Sequence, residues 1–600
     1  MRIRLVSDLE RELDAARSLL LRQQARQSYT KARKILKAAP DWAPALELMG
    51  IVSGAVGRID DAIRYLERAV LAAPKSASAY LNLGKALHLA GRHQQAETAY
   101  IKALQIEPRL AGAHHDALAY YFSWALTSCD WSNFQQCRLR LAEAARRGAY
   151  AFNPYLLMLT LDDPDLHQVC AKNYAREAAP AQPVGGHIPA RRPERLKIGY
   201  VSADFRVHPT AFLAAGLFEK HDRNRFEIVA VSLADDGSDI GRRILNAADV
   251  ALNAADQDGQ EIAHRLRAMG VDIAIDLMGH TAKSNFDIFR NRAAPIQVGF
   301  LGYPGTTGSE AVSYLIVDPV IATDEVRRTM TEQPVIMPHC YQCNDDQRPW
   351  PQDDPARAQC GLPENAFVYC SFNQTRKITP EVFDLWMRIL HNVESSVLWL
   401  YVRFDGARAN LLREAEKRGV APERIVFAER LPQTQHLARF RLADLMLDTF
   451  PCGAHTTASD ALWMGCPVVT CAGRSFASRV AASLLHTVGL PELVTKNFAE
   501  YEELAVELAG DPAKLASLKA RLAAARTTSP LFDTARFCRD LERAYDLMWE
   551  RHISGRPPEA IDLRERSAGS GEVCGVRFAP PAPTSHDPRN RPANSTMVRR

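Results

Sequence analysis

In PCGAHTTASDALWMG, His455, Thr456 and Thr457 stand in a row, three residues before Asp460. The apolar run LADLMLDTF precedes them, and TTASDALWMG reads as a helix closed by Gly465 with Pro467 beyond. Cys452, Gly453 and Ala454 make the tight turn between strand and helix. The cluster therefore sits at a helix N-terminus, where unpaired N–H groups and the dipole attract an anion. Two hydroxyls added there suit a diphosphate, and Asp460, one turn on, can accept hydrogen bonds from a ribose. The same spacing also serves as an ordinary Thr N-cap, so other strand ends have to decide.

Several of them carry polar groups. CSFNQTRKITP sets Gln374, Arg376 and Lys377 in a loop between a strand and a helix, where a cation can neutralise a phosphate leaving group. VSADFRVHPT places His208 just past another strand, and DLMGHT presents Asp276 and His280 in the same way. LGYPGTTG, with Pro304 at its centre, is a Gly-rich loop that lets backbone approach a ligand. A lone histidine is usually a surface or cap residue; several such strand ends converging on one cleft are not.

The elements that must position these groups come in two styles. Pro40, Pro74 and Pro108 recur every 34 residues, as do Gly50 with Gly84 and Gly57 with Gly91. Each unit reads as two amphipathic helices with a Gly turn, the tetratricopeptide signature, and such units bury their faces only by stacking. Two units are clear, residues 20–40 resemble the second half of an earlier one, and 111–178 continues and caps the stack. After the Pro- and Gly-rich APAQPVGGHIPARRPER, short apolar runs alternate with helices: LKIGYVSADF, FEIVAVSLAD, VDIAIDLMG, PIQVGFLGY and YLIVDPVIA. A polar gap, NDDQRPWPQDDPARA, separates them from a second series: AFVYCSFN, SVLWLYVRF, RIVFAE, LMLDTF and PVVTC. Two such series predict two doubly wound domains, with ligands beyond the carboxyl ends of their strands.

The chain has 600 residues, too many for one core, and is 47% hydrophobic and 24% charged. Residues 551–600 hold nine Arg and five acids, which accounts for the whole net charge of +4. No basic face for nucleic acid is implied. The N-terminus has no signal-peptide apolar region, and no run is long enough to span a membrane. Twelve irregularly spaced Cys fit a reducing, cytoplasmic setting. Cys340-x-x-Cys343 lacks a second ligand pair, and Asp256-Gln257-Asp258 precedes a helix where Asp is an ordinary cap, so neither predicts a metal.

The stretches GYVSADFRVHPT, APIQVGFLGYPGTTG, FNQTRKI, LDTFPCGAHTTASDALWMG and ASRVAASLL resemble the O-linked N-acetylglucosamine transferase family. The resemblance covers about 40–550, includes the junction motif CDWSNF, and in YQCND is closer to bacterial members. It implies an α + α/β chain: an N-terminal tetratricopeptide α-solenoid (1–110), a helical cap and linker (111–190), and a GT-B pair of doubly wound α/β domains (191–345 and 346–550). A disordered tail (551–600) follows. It further implies that His455, Thr456 and Thr457 hold a UDP diphosphate and that Asp460 holds the ribose. His436 would stack on uracil, with the Leu431 backbone reading its edge and Arg439 nearby. Gln374 and Lys377 would contact the phosphates, with His280 and Pro304 among the substrate contacts. His208 would lie near the sugar and the incoming hydroxyl, with Asp276 as a rival base through water. Arg376 and Gln433 stand where relatives often carry Tyr and Lys, which weakens one ribose or phosphate contact.

The implied reaction is an inverting transfer of N-acetylglucosamine from UDP to Ser or Thr hydroxyls of proteins recruited by the repeats, without metal or other cofactor. Two alternatives stand beside it: a transferase or epimerase acting on a polysaccharide or flagellin precursor, and a non-catalytic scaffold that senses UDP-sugar.

Overall fold

The 34-residue period becomes helix pairs. Ala43–Ala55 packs on Ile59–Ala72, and Ala77–Leu89 on His93–Ile106. Gly57 and Gly91 turn the chain within each pair at φ of +80° and +74°, a left-handed conformation that costs glycine nothing. Gly50 and Gly84 serve closeness instead. A Cβ there would lie 2.4 Å from Leu66 and 2.5 Å from Tyr100, so the paired helices touch only across a bare backbone. The first repeat is fuller than the sequence suggests, because Arg2–Leu21 packs against Ala25–Ala38 as its missing first helix. Ala113–Ser128 and Phe134–Arg147 extend the stack, and Tyr155–Met158 and Pro164–Arg176 follow.

This computed structural model describes residues 2–21, 24–107, 113–148, 152–176, 193–352 and 354–564. Most of the expected linker therefore lies outside the described residues, as does 565–600.

The first α/β half contains β1 (Leu196–Ser202), β2 (Phe226–Ser232), β3 (Val250–Asn253), β4 (Ile273–Asp276), β5 (Ile296–Gly299), β6 (Tyr314–Val317) and β7 (Gln333–Ile336). The second contains β8 (Phe367–Ser371), β9 (Ser396–Tyr401), β10 (Ile425–Ala428), β11 (Leu445–Leu447), β12 (Val468–Cys471) and β13 (Val494–Thr495). A last strand, β14 (Ile561–Asp562), pairs with β7. All pairings are parallel, in the orders β14-β7-β6-β5-β4-β1-β2-β3 and β10-β9-β8-β11-β12-β13. Strand order reverses between β1 and β4 in one sheet and between β8 and β11 in the other. Those switch points are where open α/β sheets bind ligands.

The two carboxyl edges face each other. Asp318, just beyond β6, accepts a 2.6 Å bond from the Ser483 hydroxyl, and Arg479, in the segment after β12, donates to the Val320 carbonyl at 2.7 Å. The helical cap grips both halves: Asp165 pairs with Arg328 at 2.6 Å, while Asp162 accepts from Ser475 N at 2.8 Å and the Ser478 hydroxyl at 2.9 Å.

The expected boundary at 550 and the disordered tail from 551 need correction. The helix Thr534–Ile553 returns to the first half, burying Tyr545, Met548 and Trp549, and Ile561 and Leu563 are buried beyond it. Glu542 accepts from His221 Nδ1 at 2.9 Å, and the Tyr545 and Tyr200 hydroxyls meet at 2.9 Å. Both nitrogens of His221 are committed, to Glu542 and to Tyr200. With Cys538 beside them, this trio is a buried hydrogen-bonded strut. No helix among the described residues is long and apolar enough to cross a membrane.

Candidate active site

The helix Thr456–Trp463 begins after a turn built on β11. His455 is its N-cap residue, and no side chain caps it. Thr456 and Thr457 thus lie within the first turn, half-buried, and are not the cap of the ordinary reading. The turn is held by a residue the motif reading missed, Asp448. Its carboxylate accepts from Ala454 N at 2.6 Å, Thr449 N at 2.7 Å and the Thr470 hydroxyl at 2.7 Å. Burial raises its pKa to about 6, while these bonds and Lys377 pull the other way.

Lys377 comes from the loop after β8, on the other side of that switch point. The residue is 8% exposed, and its ammonium donates to the Gly453 carbonyl at 2.6 Å. Among the described residues no carboxylate oxygen lies within 4.0 Å of it. A buried ammonium has three N–H donors, and one carbonyl uses one of them. Burial, then the Lys377 charge, holds His455 well below its ordinary pKa, so it stays neutral. Gln374 is exposed at the start of the same loop. Arg376 lies over the ring of Tyr155, from the helical cap, at 4.9 Å. That cap also fixes the loop through the Thr375 hydroxyl, which donates to the Thr127 carbonyl at 2.7 Å.

His436, Arg439, Gln433 and Asp460 are brought together. Arg439 donates to His436 Nδ1 and, at 2.7 Å, to the Glu429 carbonyl. His436 meets the rings of Phe372 and Phe440 edge-on. Burial, then Arg439, lowers its pKa to about 3, so the imidazole is neutral with its proton on Nε2. Leu431 is exposed in the loop ahead. Asp460 is less free than the sequence suggests: Arg348 donates to its Oδ1 at 2.8 Å, Gln433 also bonds to it, and His436 Nε2 is 3.9 Å from Oδ2. Arg348 lies in the polar segment read only as a gap between domains, and Asn344 Oδ1 accepts its second donor at 2.7 Å.

In the first half, His208 is the N-cap of Pro209–Lys220, half-buried, with Nδ1 3.3 Å from both Thr210 N and Asp204 Oδ2. Asp276 ends β4; its Oδ1 accepts from Met278 N and Gly279 N, and its Oδ2 is buried without a partner among the described residues. Burial raises its pKa to about 6. His280 is buried. Gly279, at φ +52°, turns the chain so that His280 Nε2 meets the Thr307 carbonyl at 2.7 Å, among Tyr174, Phe286 and Tyr303. Through Nε2 the ring holds the loop that contains Pro304, itself buried. Glu332, another residue the motifs did not reveal, anchors that loop through the Thr306 hydroxyl and Thr307 N, both at 2.7 Å.

Asp258 of the D-x-D caps Gly259–Ala268, its carboxylate accepting from Glu261 N at 2.8 Å. The carboxylate is used as a cap, as its place before a helix implies.

Sequence comparison decides the family. The profile of glycosyl transferase family 41 matches residues 186–352 and 354–541, more than half of the chain. The chain belongs to that family. A tetratricopeptide repeat profile matches 49–121. The chain is 38% identical over 380 residues to the probable UDP-N-acetylglucosamine–peptide N-acetylglucosaminyltransferase SEC of Arabidopsis thaliana, covering 62% of this chain and 39% of that one. To the UDP-N-acetylglucosamine–peptide N-acetylglucosaminyltransferase of Caenorhabditis elegans it is 32% identical over 483 residues, 61% of this chain and 42% of the relative. It thus spans about two fifths of the length of these curated relatives. Among solved structures, a lysine-to-methionine mutant of the Thermobaculum terrenum O-GlcNAc transferase superposes with a TM-score of 0.65 at 29% identity, over 92% of this chain and 99% of that one.

Proposed function

We propose that this family 41 chain transfers N-acetylglucosamine from UDP-N-acetylglucosamine to Ser or Thr hydroxyls of proteins, inverting the anomeric centre in one displacement. The observation that carries the reading is Lys377, buried beside a helix N-terminus, whose ammonium has the Gly453 carbonyl as its one hydrogen-bond partner among the described residues. A buried ammonium with no carboxylate in contact is costly; Asp448 offsets its charge from beyond contact distance, and an anion seated between it and the N–H groups of Thr456 and Thr457 would lower the cost further. A diphosphate fits the two hydroxyls as well. His436, neutral and edge-packed, offers a ring for uracil, and Asp460 with Gln433 a rim for ribose. The names of the relatives support the donor and the peptide acceptor, and the repeats support a protein acceptor.

The hydroxyl oxygen forms a bond to the anomeric carbon as the bond from that carbon to the diphosphate oxygen breaks. The electron pair leaves on UDP, where Lys377 and the helix N-terminus stabilise it. The hydroxyl proton goes to His208, which is partly exposed, whereas Asp276 is only 2% exposed and cannot meet a protein hydroxyl directly. Transfer needs no divalent ion in this scheme, because protein groups supply the charge that a metal would otherwise provide. Eleven free cysteines among the described residues suit a reducing, cytoplasmic setting. Incubation with labelled UDP-N-acetylglucosamine and the lysate of the source cells tests the reading. Label in protein, released by Ser/Thr-directed elimination, is expected; label in glycan alone, or none, overturns it.

A further inference from the structure

We propose that Asp204 is a positioning residue that decides which ring nitrogen of His208 carries the proton, an inference resting on His208 as the base. His208 Nδ1 has two partners at 3.3 Å with opposite demands. The Thr210 N–H donates, which requires a bare Nδ1 and puts the proton on Nε2. The Asp204 carboxylate accepts, which requires Nδ1–H and leaves the Nε2 lone pair free. Only the second arrangement can take a proton from an acceptor hydroxyl through Nε2.

The carboxylate is built to win. Asp204 is 4% exposed and fixed from three sides: its own N–H donates to the Ser202 hydroxyl at 2.9 Å, Arg206 donates to Oδ1 at 2.8 Å, and Oδ2 is left to His208. A bond to an ionised acceptor is about twice as strong as the neutral amide cap that competes with it. The charged groups around His208 are Asp204 and Arg206, with Asp236 holding the adjoining Val207 N–H at 2.9 Å. Burial and Arg206 favour neutral His208 and Asp204 opposes them, so the ring is kept unprotonated yet oriented.

The test compares kcat/KM against pH for the full chain and for Asp204→Asn, His208→Ala and the double variant. An Asn amide can donate to Nδ1, which reinforces the unproductive tautomer. Asp204→Asn is expected to lower the plateau ~10–100-fold, part of the ~100–10,000-fold that a positioned base contributes, and to move the acidic limb to lower pH. The double variant is expected to be no slower than His208→Ala alone. A plateau within about twofold of wild type, an unmoved limb, or multiplying losses would overturn the inference. If His208→Ala alone keeps full activity, the base assignment fails separately. The nitrogen-15 shifts of His208 then still decide the Asp204 role: Nδ1–H in the wild type and Nε2–H in Asp204→Asn support it, and one tautomer in both refutes it.

Discussion

Asp460 and Arg348 form the site's most deeply buried ion pair, and removing one partner should separate what the pair does for the fold from what it does for substrate. Their side chains are 6% and 3% exposed, with N to O at 2.8 Å. Two unit charges about 4 Å apart at an effective dielectric of 20 attract by about 4 kcal/mol, which agrees with the ~3–5 kcal/mol lost when one member of a buried pair is deleted. Asp460→Ala should therefore destabilise the protein by about 4 kcal/mol, because among the described residues the guanidinium keeps only Asn344 as a hydrogen-bond partner. Asp460→Asn keeps shape and one acceptor and should cost about 2 kcal/mol, the scale of a single charged hydrogen bond. Adding Arg348→Met to Asp460→Asn should recover most of the loss, since it removes the orphaned charge. Urea unfolding midpoints read the stability. KM and kcat for UDP-N-acetylglucosamine, measured on the double variant, read the ribose contact, which should raise KM and leave kcat nearly unchanged. Asp460→Ala as stable as wild type would refute the ion-pair reasoning, and a pure kcat defect would move Asp460 into the chemistry.

His436 has a folded pKa of about 3 against an ordinary 6.5, so between those values the unfolded chain holds a proton that the fold refuses. Stability should rise with pH across that window, and His436→Gln should flatten the slope by about 1.4 kcal/mol per pH unit, one proton's worth; an unchanged slope counts against the buried neutral ring. Excess EDTA should leave transfer unchanged, and a loss restored by Mn²⁺ or Mg²⁺ would show that the metal-free reading is wrong. Thr375→Val strands the Thr127 carbonyl and should cost ~1–3 kcal/mol along with kcat, because the clamp from the helical cap holds the Lys377 loop; full activity would show that the loop needs no such clamp.

The parts legible in the sequence were those written in periodic or local code. The 34-residue Gly and Pro spacing carried the repeats, and long apolar runs carried ten of the strands. Val250–Asn253 escaped notice because its burial alternates between exposed and half-buried, and Val494–Thr495 because two residues make no pattern. Ile561–Asp562 lies beyond a helix that crosses back to the first half, a long-range return with no local mark. Arg348 was invisible for a similar reason: its partner is 112 residues away, and its own segment is polar and aperiodic. Asp448 and Glu332 stand in or beside strands, where an acid signals nothing until the loops it anchors are seen. His280 was legible as a polar residue at a strand end, but not the left-handed Gly279 that turns its Nε2 onto the Thr307 carbonyl.

In the proposed transfer, Lys377 and the helix N-terminus at Thr456 and Thr457 hold the departing diphosphate. Lys377→Ala tests it most directly, with turnover and UDP affinity measured on a variant whose unfolding midpoint confirms the fold. Removing one preorganised charge at a developing anion should lower kcat at least ~100-fold and weaken UDP binding as well. Near-normal kcat in the folded variant would contradict the claim.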